Sequence, residues 1–318
     1  MSLIYNATFD SQTRVLSLLD KAGNVISSCE VPSKELVDDI TKPLTFRATQ
    51  DGSSVKLTKM GRPVGDFQTS RDGGNTWTDY TLDTAITLNT GDEVSFRAKA
   101  DRTEAQSRSK NFYFKMTGKI EAWHNVMSLY RTNDFATYNT LVESAFNGLF
   151  SGCFSLTKAP VLPATTLATD CYESMFVGCG SLTKAPELPA TTLVYGCYSR
   201  MFERASSLTE APVLHATTLE SFCYYYMFSG CQSLTKAPEL PATTLAQSCY
   251  QYMFDGCQSL KEVRIAATTT AENALSGWLY NVSATGDFYC NPNATIFPTG
   301  TSGIPKNWTR RNIADYPN

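Results

Sequence analysis

The chain has 318 residues, 42% of them hydrophobic and 18% charged, with 27 basic and 30 acidic side chains for a net charge of −3. That length allows two or three domains with a buried core, and the composition excludes a disordered, collagen-like or low-complexity chain. The charge balance argues against a nucleic-acid binder, and no apolar run is long enough for a membrane-spanning helix. No basic segment followed by an apolar one opens the sequence, so no export signal is expected.

Residues 1–40 read as a small β arm. LIYNATF alternates apolar and polar residues, and RVLSLLDKAGNVISSCEV reads as two strands around Asp20–Asn24. SKELVDDI reads as one helical turn capped by Ser33. A hairpin alone is marginal in water, so this arm is expected to pair with another chain or domain.

Residues 43–117 read as an Ig-like antiparallel β-sandwich. Its expected hairpins turn on Asp51-Gly52, on Asp72-Gly73-Gly74 and on Thr90-Gly91-Asp92. The stretch from Ser70 to Trp77 matches the S-x-D-x-G-x-T-W box of sialidase-like propellers. A propeller needs that box in several blades, and here it occurs once. The expected role is a structural turn, with Asp72 accepting turn amides and Trp77 packing beneath. A glycan-active enzyme is the weaker alternative. His124 and His215 are the only histidines, which leaves few groups for acid–base work near neutral pH. His215 stands where other copies of the repeat described next carry proline, and His124 is expected to be structural. No hydrolase, metalloprotease, P-loop or dinucleotide motif occurs, so no catalytic residue, no metal and no cofactor is expected.

From Ser155 the chain repeats every 26 residues: SLTKAPVLPATTLATDCYESMFVGCG, then copies from Ser181, Ser207 and Ser233, with degraded copies on either side. Leu156, Leu162 and Leu167 begin three leucine columns. SLTKA reads as a brief strand ended by Pro160. Cys171, Tyr172, Met175, Phe176 and Cys179 read as the apolar face of a short helix. A strand and a helical segment per copy predict an α+β fold, with N-terminal antiparallel β domains followed by a leucine-rich-repeat solenoid over 118–290 and a C-terminal cap over 291–318.

Cysteines fall into columns. Cys171, Cys197, Cys223 and Cys249 form one; Cys153, Cys179, Cys231 and Cys257 form another, with Ala205 in the missing place. Cys29 and Cys290 stand apart. The column thiols are expected to be small core hydrophobes. Ala205 argues against disulfide rungs, since it would orphan a mate, and no spacing fits zinc. Reduced thiols fit assembly in a bacterial cytoplasm.

Positions that drift between copies are expected to face solvent. There the sequence places Tyr195, Phe222, Tyr225, Tyr226 and Tyr252, a candidate binding patch, because exposed aromatics give large contact area at low entropic cost. Lys158, Lys184, Glu210 and Lys236 alternate with Val161, Glu187, Val213 and Glu239 as an expected solvated row.

The L-P-A-T-T-L, C-Y, M-F and G-C elements of each copy, with the flanking FYFKMTGKI, NVMSLY and GIPKNW, resemble the BspA-like (Treponema-type) leucine-rich-repeat proteins of Bacteroidota and their phages. The resemblance covers about residues 112–318. This repeat is longer than the Treponema-type unit and adds a proline. The resemblance implies binding or adhesion and supplies no catalytic residues. The expected function is therefore a non-enzymatic virion fibre or decoration protein of a Bacteroidota phage, with a bacterial cell-surface adhesin as the alternative. Residues 1–40 would join other virion or surface proteins and make a homo-oligomer; a host-surface glycan or protein would be the ligand.

Overall fold

The computed structural model describes all residues except 1–5, 11–14, 20–21, 31–36, 62–65, 104–109 and 317–318. The Ser33 cap, part of the Asp20–Asn24 turn and the Cys29 side chain lie outside the described residues. The chain divides into two compact units, Met1–Asp38 and Asp39–Asn318. In the first, β1 (Asn6–Asp10), β2 (Val15–Leu19) and β3 (Val25–Glu30) form an antiparallel sheet in that order. Leu18 pairs with Ser27 and Leu19 with Val25, so Ile26 makes a bulge beside the turn.

The second unit begins as a sandwich. Its strands are β4 (Thr45–Ala48), β5 (Ser53–Gly61), β6 (Phe67–Ser70), β7 (Thr78–Tyr80), β8 (Ile86–Leu88), β9 (Glu93–Ala98), β10 (Lys110–Thr117) and β11 (Ile120–Trp123). One sheet runs β11-β4-β9-β6-β7 and the other β10-β5-β8. Phe46, Phe96 and Phe114 meet edge to face between them, with centroids 4.6–5.6 Å apart. The Asp72 turn joins paired strands β6 and β7 as expected. The other two turns do not: β4 pairs with β9 and β11, and β5 with β8 and β10. Asp51-Gly52 and Thr90-Gly91 carry the chain from one sheet to the other. Glycine suits both a corner and a hairpin, because either needs positive φ (Gly52 +71°, Gly91 +87°).

The sandwich sheet continues into the repeats. β11 pairs in parallel with β12 (Leu156–Lys158), and the Phe114 ring stacks on Phe150 at 5.5 Å. Further along lie β13 (Thr244–Leu245), β14 (Glu262–Arg264), β15 (Thr269–Thr270), β16 (Gly286–Cys290) and β17 (Trp308–Asn312). β14, β16 and β17 form a closing parallel sheet, and β13 pairs with β15.

The expected α+β leucine-rich-repeat solenoid is overturned. Among the described residues the chain is strand and turn, with several small sheets and no solenoid closure; its helices are two 3-10 turns, Val126–Leu129 and Ile313–Asp315. The segment read as a helix is a run of tight turns. Every fourth residue is left-handed: Asp170 (φ +53°), Ser174 (+59°) and Gly178 (+70°), then Gly196, Arg200 and Arg204, with the same pattern in the next two copies. An α-helix cannot accommodate such residues. The amides alternate instead. Those of Cys171, Glu173, Met175, Val177 and Cys179 bond three residues back at 3.1–3.3 Å. Those of Asp170, Tyr172, Ser174, Phe176 and Gly178 donate to Tyr195, Cys197, Ser199, Met201 and Glu203 of the next copy at 2.8–3.1 Å. The buried amides are thereby satisfied without helix or long strand. The prolines at 160, 186, 212 and 238 keep the SLTKA strands short; later copies contribute single bridges such as Lys184 to Glu210.

Side chains stack with the backbone. Phe150, Phe176, Phe202, Phe228 and Phe254 form one ring column at 5.4–5.6 Å. Phe146, Tyr172, Tyr198, Tyr224 and Tyr250 form a second at 5.9–6.0 Å. Both end on the buried indole of Trp278, whose Nε1 donates to the Gly303 carbonyl at 3.0 Å. Trp278 thus closes the columns against water.

The candidate binding cleft

The structure brings all five drifting aromatics together on one edge of the stack. Ring centroids lie 5.4 Å apart for Tyr195–Phe222, 5.5 Å for Phe222–Tyr225, 4.5 Å for Tyr225–Tyr226 and 4.6 Å for Tyr226–Tyr252. Tyr195 is 49% exposed and the other four are half-buried. The rings run across three consecutive copies because the turn run repeats its register from one copy to the next.

Their backbones are unusual for their type. Phe222 (φ +59°), Tyr226 (+53°) and Tyr252 (+55°) are left-handed, a conformation that costs a bulky residue about 1–2 kcal/mol. The same registers elsewhere hold Asp170, Gly196, Ser174, Ser248 and Arg200, none of them aromatic. Folding therefore does not call for aromatics there. Tyr252 also leans onto Gly277, where a Cβ would sit 2.3 Å from its ring. That glycine leaves room for the last ring of the row.

Beside the row lies a cleft of about 280 Å³ lined by Asp170, Glu173, Tyr195, Gly196, Ser199, Arg200, Phe222 and Tyr225. Asp170 reaches over Gly196, so that a Cβ at 196 would lie 2.0 Å from its Oδ1. Glu173 is buried and accepts from Asn147 Nδ2 at 2.7 Å. The Arg200 guanidinium pairs with Glu203 at 2.9 Å and lies 5.4 Å from the Tyr225 ring and 4.7 Å from Tyr226. Burial, with Tyr225 and Tyr252 beside it, pushes the Tyr226 hydroxyl up to about 12, so it stays protonated at neutral pH. Sequence reasoning missed Asp170, Glu173, Gly196, Ser199 and Arg200. All five stand at registers that drift between copies, Asp170 and Gly196 in that of Phe222, Glu173 and Ser199 in that of Tyr225 and Arg200 in that of Tyr226, and that drift was the available signal.

The column cysteines are buried and reduced. Cys153, Cys179, Cys231 and Cys257 donate to the carbonyls of Phe114, Phe150, Phe202 and Phe228 at 3.0–3.2 Å. Burial pushes the thiols of Cys153, Cys197 and Cys249 up to about 12. Cys171, Cys179, Cys223, Cys231 and Cys257 are raised for the same reason. Among the described residues no group of three His, Cys, Asp or Glu side chains could hold a metal ion, and no helix is long and apolar enough to cross a membrane.

Other motifs are absorbed locally. Asp72 accepts from Ser70 Oγ, Thr76 N and Thr76 Oγ1 at 2.6–2.9 Å, and these bonds hold its carboxyl well below the usual range. Trp77 Nε1 closes the same turn on the Gly74 carbonyl. Buried His124 accepts from the Asp39 amide at 3.1 Å, while His215 is exposed. On the strand side, Lys184–Glu210, Lys236–Glu262 and Arg264–Glu239 pair across copies at 3.0 Å, and Lys158 lies over the Trp123 ring. No protein-family model, curated protein or solved structure matches the chain.

Proposed function

We propose that this chain is a non-enzymatic attachment protein, a virion fibre or decoration protein of a Bacteroidota phage, whose repeat stack presents the aromatic edge to a surface component. The observation that supports this reading is the contiguous row from Tyr195 to Tyr252, with three of its members on left-handed backbone. Strain that the fold does not need points to use at a surface. Aromatic rings with polar tips suit recognition, because they bring area without many rotors. The small β1–β2–β3 sheet would join the chain to virion proteins or to copies of itself, since so small a sheet is stabilised by a partner.

The test is binding of the labelled full chain to a panel of Bacteroidota cells, read by flow cytometry. Tyr225→Ala plus Tyr226→Ala should weaken binding at least about tenfold with an unchanged melting temperature. Undiminished binding would overturn the reading. Antibody labelling of purified phage particles tests the setting; signal confined to bacterial envelopes would replace the virion with a cell-surface adhesin. Release of reducing sugar from cell-wall glycans by the chain would overturn the non-enzymatic part.

A further inference from the structure

We infer that the cleft between Asp170 and Phe222 takes a neutral sugar ring, one unit of a surface polysaccharide. The inference rests on the attachment reading and adds the chemistry of the ligand. Size is the first support. At about 280 Å³ the cleft lies just below the ~300 Å³ at which ligand sites begin, so it suits a single ring and not a folded loop.

Charge is the second. Asp170, Glu173 and Arg200 line one cleft. An organic cation would gain from the carboxylates, yet it meets the Arg200 guanidinium, which Glu203 pairs at 2.9 Å. An anion would gain from Arg200, yet it meets two carboxylates. A neutral ring bearing several hydroxyls uses both, because each hydroxyl donates to a carboxylate or accepts from a guanidinium, and such charge-assisted bonds are the stronger ones. Ser199 adds a group able to do either.

Ring geometry is the third. Tyr195 and Phe222 are inclined at 51°, and Phe222 and Tyr225 at 70°. A sugar has one face of C–H groups, which packs on the electron-rich face of an aromatic ring. Tyr195, 49% exposed, is the ring of the row most open to such packing, whereas the Tyr226 ring is covered by Tyr252 and Arg200. A single neutral sugar unit thus matches the cleft.

The full chain is to be probed with an array of neutral hexose and N-acetylhexosamine oligosaccharides, with sialylated and sulfated glycans, and with tetramethylammonium by calorimetry. At least one neutral glycan should bind. Phe222→Ser and Tyr195→Thr should each weaken it at least about tenfold. These changes copy Ser248 and Thr169, which occupy the same registers in other copies, so the fold already tolerates them. Asp170→Asn should also weaken binding, whereas His215→Pro should not. Binding of tetramethylammonium, or of anionic glycans alone, would overturn the inference, as would neutral binding that survives Phe222→Ser. If no neutral glycan binds but the Tyr225/Tyr226 double variant still loses cells, the sugar inference falls and attachment stands. If the double variant binds cells as well as the parent chain while Phe222-dependent sugar binding persists, attachment falls and the ligand class stands.

Discussion

Tyr172→Phe and Tyr198→Phe should make the protein more stable. Both side chains are 1% exposed, and neither hydroxyl has a hydrogen-bond partner among the described residues. Burial raises both hydroxyls well above the ordinary tyrosine range, so they are neutral and simply desolvated. A buried hydroxyl without a partner costs about 1–3 kcal/mol. Replacing tyrosine by phenylalanine removes that cost and keeps the ring, with its neighbours 5.9–6.0 Å above and below. The preceding copy already does this, since Phe146 stacks on Tyr172 in the same column. We expect about 1 kcal/mol from each substitution, and about 2 kcal/mol from the pair with some coupling because the rings touch. Urea unfolding followed by circular dichroism reads this as a higher midpoint at constant slope. Destabilisation by either variant would refute the reasoning, because it would mean that the hydroxyls find partners in the native protein.

Two further outcomes follow from the thiol columns. The eight column thiols hold their protons more tightly when folded, with Cys153, Cys197 and Cys249 raised to about 12 against an ordinary value near 8.5. Their contribution is complete below about pH 8.5 and is lost as pH rises toward the folded values, at about 1.4 kcal/mol per thiol per pH unit. Cooperative unfolding in reductant is therefore expected within about two units above 8.5, because typical stabilities are ~5–15 kcal/mol; a chain still folded at about pH 11 would contradict this. Ala205→Cys should restore the missing member of the second column and let its thiol donate to the Phe176 carbonyl, as Cys231 does to Phe202. A gain of about 0.5 kcal/mol is expected from a weak donor, and a loss in the same urea assay would show that the site has no room.

Much of the interior was legible because a 26-residue period places like side chains on like. Leu156, Cys171, Met175, Phe176 and their counterparts are buried, and the drifting aromatics converge on one edge. The helix was misread for a reason visible in the spacing. Cys171, Tyr172, Met175, Phe176 and Cys179 recur every four residues, not every 3.6, and on a helix such a pattern drifts off one face. Aspartate, serine and glycine at 170, 174 and 178, also four apart, were the sign of left-handed turns. The Asp51-Gly52 and Thr90-Gly91 corners were misread because local turn chemistry does not reveal which strand pairs with which. Arg200, Asp170 and Glu173 were not foreseen as neighbours of the rings, since their meeting depends on how one copy leans over the next.

Each copy hands its alternate amides to its successor in a matching register. Loss or gain of one whole unit conserves those bonds, the ring columns and the terminal indole. The cleft behaves otherwise, since Asp170, Arg200 and Phe222 come from three different units. Gain or loss of a unit within 155–232 would change the number of stacked copies and recombine the walls of the cleft in one event. The interior would be indifferent to the result, so the cleft can be remade without the folding problem having to be solved again.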